Sequence, residues 1–352
     1  MATQDTETLP EQPSAAQPAR RLRNSLIGLA IVVVFVVALL LAVPGLSGVA
    51  HALEHASAGW IGIAIALEYL SCLGYVLLFL LVFYRGPTRL TARLAWSELA
   101  ANSLLPAGGI GGLGLGAWVL RQRGVPMWRI AERSTAVFFL TSAVSIAALV
   151  LVGVGLGSGV LAGPHDFLRT YLPALVGVGA IALTLGGAAW AHRFAEHSQR
   201  RIARLLAPIA QGVQTTLTIL RHRDWRLLGA VGYWAFDVAT LVAAFAAVGH
   251  VPPVGGVVMG YLIGQQAGAL PIPGGIGAVD GGLLGALVLY HAPITTTAAA
   301  LLIYRTIALW LPALLGTIAF LLLRRGPDEP LLLKPALPYD TAAPPDQGGS
   351  VS

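Results

Sequence analysis

Residues 270–287 read LPIPGGIGAVDGGLLGAL. Two prolines, six glycines and Asp280 stand here in a chain that is otherwise a succession of apolar runs. A variant of the phrase, LPAGGIGGLGLGAW, occupies residues 105–118. Pro271 and Pro273 lack amide donors and end an incoming helix, and the glycines after them permit a tight reversal. Backbone freed from helical hydrogen bonding at membrane depth is tolerated only when buried in protein or lining an aqueous cavity. Both segments are therefore expected to be re-entrant hairpins with tips facing the protein interior. There, freed N–H groups and a helix N-terminus are placed to meet an anion.

Composition agrees with a membrane setting. The chain has 352 residues, of which 56% are hydrophobic and 11% charged, and its mean hydropathy is +0.75. A soluble domain carries about a quarter charged residues. The net charge of +6 comes from arginines clustered between apolar runs, a positive-inside pattern and not a nucleic-acid surface. The single cysteine, Cys72, excludes an internal disulfide and a cysteine metal cluster. Six runs are long enough to cross a hydrocarbon core of about 30 Å: residues 25–43, 59–83, 131–155, 168–191, 227–248 and 294–323. The first is read as a retained helix, although Ala50-His51-Ala52 resembles a signal cleavage site, because it exceeds the usual apolar core of a signal peptide.

Arginines then set the orientation. Arg20, Arg21 and Arg23 precede the first run, Arg85, Arg89 and Arg93 follow the second, and Arg121, Arg123, Arg129 and Arg133 precede the third. More arginines fill residues 193–226, and Arg324 and Arg325 close the last run, whereas the outer connections hold only Arg169. All clusters fall on the cytoplasmic side only if residues 94–120 and 254–290 return to the side they entered. Both termini are then cytoplasmic. Residues 1–24 and 324–352 are polar tails expected to be disordered, flanking a membrane domain over residues 25–323. The arginine-rich loop, about residues 192–226, is either an amphipathic helix on the inner surface or a plain connection.

Gly108-Gly109-Ile110-Gly111 aligns with Gly274-Gly275-Ile276-Gly277, and Gly124-Val125-Pro126 then answers His291-Ala292-Pro293. The order of two spans, hairpin and span occurs twice, over about residues 25–156 and 168–323. Insertion from opposite sides makes the halves inverted-topology repeats, as in secondary transporters. The fold class is all-α integral membrane protein, with about six full spans and two re-entrant hairpins. Gly256, Gly260, Gly264 and Gly268, and again Gly277, Gly281 and Gly285, form ladders expected to pack helices. The tips, with Pro106, Gly109, Gly111, Pro273, Gly274, Gly275 and Gly277, are the expected binding site.

At these motifs the sequence resembles the lysylphosphatidylglycerol synthase transmembrane-region family, also called flippase-like integral membrane proteins. The resemblance rests on residues 102–111 (NSLLPAGGIG) with Arg121, and on residues 271–280 (PIPGGIGAVD) with Arg305. It spans residues 20–325. Members with a soluble aminoacyl-transferase domain make and translocate aminoacylated phosphatidylglycerol, so the resemblance implies translocation without synthesis for this stretch. Members often carry a polar or acidic residue after the first hairpin glycine, where this chain has Gly112 and Leu113. Headgroup specificity is therefore not carried over.

Charged residues at membrane depth are functional candidates. Glu68 and Asp237 lie mid-span in equivalent helices of the two repeats and are expected to face one cavity, or to be satisfied by neighbouring helices. Glu98 and Asn102 share a helix face of the first hairpin, and Gln265 and Gln266 occupy the matching limb of the second. Asp280 and Arg305 are expected to pair and brace the second hairpin, and Arg121 to catch a phosphodiester or merely fix topology. His51 and His55 have only a weak zinc spacing. No catalytic set, nucleotide fingerprint, metal or cofactor is called for. The expected function is movement of a lipid or lipid-linked headgroup across a bacterial inner membrane. Its partners are membrane lipids, anionic or aminoacylated, with a homo-oligomer possible and no nucleic acid. The alternatives are a small-solute or ion transporter, a scaffold, and a membrane-embedded lipid-phosphate enzyme.

Overall fold

The computed structural model describes residues 47–83, 88–104, 110–197, 201–266 and 278–325. The apolar run at 25–43, both tails and the two hairpin tips, with Pro106, Gly109, Gly268, Pro273, Gly274, Gly275 and Gly277, lie outside the described residues. The chain divides into two units, residues 1–54 and 55–352. The first contributes α1, Ser47–Glu54. The second contains α2 (Ala58–Phe83), α3 (Thr88–Leu104), α4 (Ile110–Gln122), α5 (Met127–Gly157), α6 (Phe167–His197) and α7 (Arg201–Arg221). A 3-10 turn at Trp225–Leu227 leads into α8 (Leu228–Ala247), followed by α9 (Val254–Gln266), α10 (Ala278–Leu289) and α11 (Ile294–Arg325).

The molecule is an all-α membrane protein. Among the described residues, five helices are long and apolar enough to cross a bilayer: α2, α5, the first part of α6 (Phe167–Thr184), Trp225–Ala247, and α11. They match five of the six expected runs. α6 is the peripheral member, and Leu172, Leu175, Val176, Val178 and Leu183 stand exposed along it. Such an apolar face suits lipid tails. The arginine-rich loop proves largely helical, and α7 is tied to α5 where Thr215 Oγ1 donates to Glu132 Oε1 at 2.7 Å.

α2 and α8 form the central antiparallel pair. At one end the Ser57 N–H donates to the Ala247 carbonyl at 2.8 Å. Further along, Ser71 Oγ donates to the Tyr233 carbonyl at 2.8 Å. At the crossing, a Cβ on Gly74 would lie 2.7 Å from the Gly229 carbonyl, and one on Gly229 would lie 2.6 Å from that of Gly74. Only two glycines allow backbones this close.

The short helices pair in the same antiparallel sense. α9 meets α10 with Gly256 against Tyr290, Gly260 against Leu287 and Gly264 against Leu283, a register that descends as the other rises. α4 runs back along α3, with Gly112 against Asn102 and Gly116 against Glu98. The first glycine ladder is thus packing at Gly256, Gly260 and Gly264, as expected. The second is not: a Cβ on Gly281 or Gly285 would meet nothing within 4 Å. These two glycines point away from α9, because Leu283 and Leu287 already occupy the face that meets it.

Each helix pair carries its own core. Leu94, Leu120, Val125, Ile130, Phe79 and Phe83 pack at one end of the bundle. Leu156, Phe245, Val257, Leu283, Leu287 and Tyr290 pack around the other pair. Arg133, an expected topology marker, also donates from Nη1 to the Val82 carbonyl at 2.7 Å. It thereby satisfies one of the carbonyls left open at the end of α2.

The internal repeat is visible in backbone detail. After α4, Gly124 takes φ +83° and Val125 N–H returns to the Leu120 carbonyl. After α10, His291 takes φ +68° and Ala292 N–H returns to the Leu287 carbonyl. In both places a left-handed residue closes the helix and a proline opens the next span. The equivalence of Gly124-Val125-Pro126 with His291-Ala292-Pro293 is therefore conformational. His291 adopts this conformation without being glycine, and its Nε2 lies 2.8 Å from Arg169 Nη1.

Candidate functional site

The polar groups of the spans gather into two clusters. In the first, Tyr75 of α2 donates through its hydroxyl to Glu98 Oε2 at 3.0 Å. Glu98 is 2% exposed. One helical turn on, Asn102 Oδ1 accepts the N–H of Gly112 at 2.9 Å. That amide belongs to the first turn of α4 and has no helical acceptor, so Asn102 satisfies it from the neighbouring helix. The geometry also accounts for Gly112. A Cβ there would lie 2.6 Å from the Glu98 carbonyl and from Asn102 Cγ.

The second cluster is larger and links four helices. Asp237, mid-way along α8, accepts from the Tyr304 hydroxyl at 2.9 Å on Oδ1. Its Oδ2 accepts from the Tyr261 hydroxyl of α9. Gln265, one turn after Tyr261, donates to that hydroxyl at 2.7 Å. Glu68 of α2 faces Asp237, and Thr240 is a third neighbour. The Cys72 thiol approaches Glu68 Oε1 at 3.9 Å. Glu68 is 5% exposed, and its Oε2 is a buried atom without a hydrogen-bond partner among the described residues. Two negative charges placed so would repel strongly, because little water screens them.

Arg305 adjoins this network through Tyr304, with its guanidinium 5.7 Å from the Tyr304 ring centroid. It forms an ion pair with Asp280, in the first turn of α10. The pair was expected from sequence and is present. Arg305 lies eleven residues into α11, about 17 Å along a helix axis. The paired atoms, Arg305 Nε and Asp280 Oδ1, are buried together with Arg305 Nη2, while the two side chains as a whole keep 34% and 45% of their exposure. An ion pair at this depth cannot face lipid tails cheaply, so its open side calls for water or a polar ligand. The negative Asp280 also suits the positive end of α10.

Of the other expected site residues, Gly111 lies in α4 beside Gly112, and Arg121 is exposed in the last turn of α4, away from both clusters. Sequence reasoning missed Tyr75, Tyr261 and Tyr304. Helical spacing held a usable signal. Tyr75 lies seven residues after Glu68, and Tyr261 lies four before Gln265, so each shares a face with a residue already singled out. An aromatic row connects the clusters. Tyr75 and Tyr233 have centroids 5.5 Å apart, Trp234 and Tyr261 5.6 Å, and Tyr261 and Tyr304 6.4 Å.

A membrane protein of the UPF0104 group from Methanothermobacter thermautotrophicus is 25% identical over 258 residues, 64% of this chain and 71% of that protein. The family model described as the lysylphosphatidylglycerol synthase TM region matches residues 25–316. That match takes in both paired-helix segments and every charged residue of the two clusters. The chain belongs to the lysylphosphatidylglycerol synthase TM region family.

Proposed function

We propose that the protein translocates a phospholipid, or a lipid-linked headgroup, across a bacterial inner membrane, with both chain ends cytoplasmic. The observation that carries this reading is the half-open Asp280–Arg305 pair at membrane depth, joined through Tyr304 to the carboxyls of Asp237 and Glu68. A guanidinium held beside the first turn of another helix, as Arg305 is beside α10, suits a phosphodiester. Nearby carboxylates offset a cationic headgroup. The lipid family name is consistent with such a ligand. In this reading α3–α4 and α9–α10 are re-entrant hairpins that enter from opposite faces, and their tips complete the site. One inverted repeat rocks against the other to alternate access. The sequence offers no nucleophile set or nucleotide fingerprint, so the chain is read as a translocator and not an enzyme, driven by a gradient or by the lipid's own concentration difference.

Reconstitution into liposomes with labelled anionic and aminoacylated phospholipids tests the proposal. Leaflet exchange is expected from the natural protein and is expected to fall to the protein-free rate in a Pro273→Ala, Gly275→Leu variant. Equal exchange from both overturns it. A second reading, transport of a small solute or ion, draws on the enclosed Glu68–Asp237 pair, an arrangement suited to a cation. Uptake of solute into the vesicles without lipid exchange selects that reading.

A further inference from the structure

The Glu68–Asp237 pair has an asymmetry that its acidity alone does not explain. Both oxygens of Asp237 are engaged by hydroxyls that donate to them, Tyr304 on one and Tyr261 on the other. An acid group that accepts on both oxygens presents itself as a carboxylate. Glu68 has no such donors. The Cys72 thiol lies 3.9 Å from its Oε1 and Thr240 is a further neighbour, but its Oε2 is buried and lacks a hydrogen-bond partner among the described residues. An orphan oxygen on a side chain 5% exposed, beside a second carboxylate, is costly in this form. A proton on Glu68 Oε2, donated toward Asp237, removes both defects. The orphan atom becomes a donor and the pair keeps a single negative charge.

We propose that Glu68 carries an exchangeable proton shared with Asp237, and that its uptake is linked through Tyr304 to anion binding at Arg305. The second half rests on the reading of Arg305 as the phosphate group's partner. The step itself moves one proton from water to the Glu68 carboxylate, with no other bond made or broken. The titratable and charged groups around the pair are Cys72 on α2, Tyr233 on α8, Tyr261 on α9, and Tyr304 and Arg305 on α11. Arg305 is the cation among them. Its positive field favours two ionised carboxyls. Arg305 is already paired with Asp280 on α10, and a further anion bound beside it weakens that field and promotes proton uptake. By reciprocity the proton then strengthens anion binding to the same degree.

Infrared difference spectroscopy of the full chain in detergent, titrated with and without phosphatidylglycerol, tests both halves. The natural protein should show the carbonyl stretch of a protonated carboxylic acid at neutral pH. The band should be lost in Glu68→Gln, retained at a shifted frequency in Glu68→Asp, and titrate away on the alkaline side. Phosphatidylglycerol should raise its midpoint by about one pH unit, a tenfold change within the usual range of coupling. Arg305→Ala should abolish that rise. Absence of the band, its persistence in Glu68→Gln, or a midpoint indifferent to the lipid overturns the proposal. Liposomes that exchange no lipid, with band and shift intact, defeat the translocation reading and leave the linked proton site standing.

Discussion

In the first hairpin-like pair, Asn102 reaches across to the Gly112 amide and Tyr75 closes over Glu98, so its polar groups are spent inside the protein. In the second, Asp280 takes its partner from outside the pair, and the resulting ion pair with Arg305 is open. The repeat alignment sharpens the contrast. The offset between halves is 166 residues at Gly108/Gly274 and 167 at Gly124/His291. It sets Asp280 opposite Leu113 or Gly114, and Arg305 opposite Phe138. The apolar counterparts Leu113 and Phe138 are exposed. The missing acid noted after the first hairpin glycine thus has a structural meaning. One backbone plan occurs twice, with its polar groups paired within the protein in the first copy and an ion pair to a neighbouring helix in the second.

The strongest way to break this division is to compare transport losses. Asp280→Ala or Arg305→Ala should lower leaflet exchange by about tenfold or more, about 1.4 kcal/mol in the barrier. Glu98→Gln should cost stability before it costs rate. Exchange assays beside thermal unfolding of the same preparations separate the two, and equal transport losses would erase the distinction. Packing offers the next test. Gly264→Leu forces a side chain into the Leu283 backbone and should destabilise by about 1–3 kcal/mol. Gly281→Leu meets open space and should stay within about 0.5 kcal/mol. Midpoints of denaturant-induced unfolding decide this pair.

Removing single hydroxyls gives a finer measure. Tyr75→Phe takes away the hydroxyl donor that Glu98 has in the first cluster and should cost about 1–3 kcal/mol. Tyr304→Phe leaves Tyr261 on Asp237 and should cost only about 0.5–1.5 kcal/mol. The smallest effect belongs to a site outside both clusters. Arg226, hydrogen-bonded to Asp224, holds that carboxyl below its ordinary range. A lowered folded-state value means the contribution is present above the unfolded carboxylate pKa, about 3.9, and is lost as pH falls through the lower folded one. Acid unfolding curves of natural protein and Asp224→Asn should therefore differ by only about 0.2–1 kcal/mol above pH 4 and converge below it.

The spans were legible because length and apolar content are local properties of the chain. The repeat was legible too, since Gly124-Val125-Pro126 and His291-Ala292-Pro293 encode the same helix stop and start. The Asp280–Arg305 pair could be read because charges at depth are rare enough to seek each other. The tyrosines were harder. A tyrosine in an apolar run looks like any aromatic until a partner from a distant helix is known, and Tyr261, Tyr304 and Asp237 come from three separate helices. The orientation of Gly281 and Gly285 was misjudged for a related reason. A four-residue repeat of glycine identifies a face, but only the neighbour decides whether that face is covered.

The backbone contact at Gly74 and Gly229 has a mechanical consequence. Two helices whose backbones touch at their closest approach, with no side chain between them there, resist sliding at that point more than a tilt about it. A tilt about that contact spreads one end of the pair while closing the other. Ser57 with Ala247 lies toward one extremity, Val82 with Arg133 toward the other, and Glu68 with Asp237 lies only two turns from the fulcrum. The charged centre would then move less than either end of the pair.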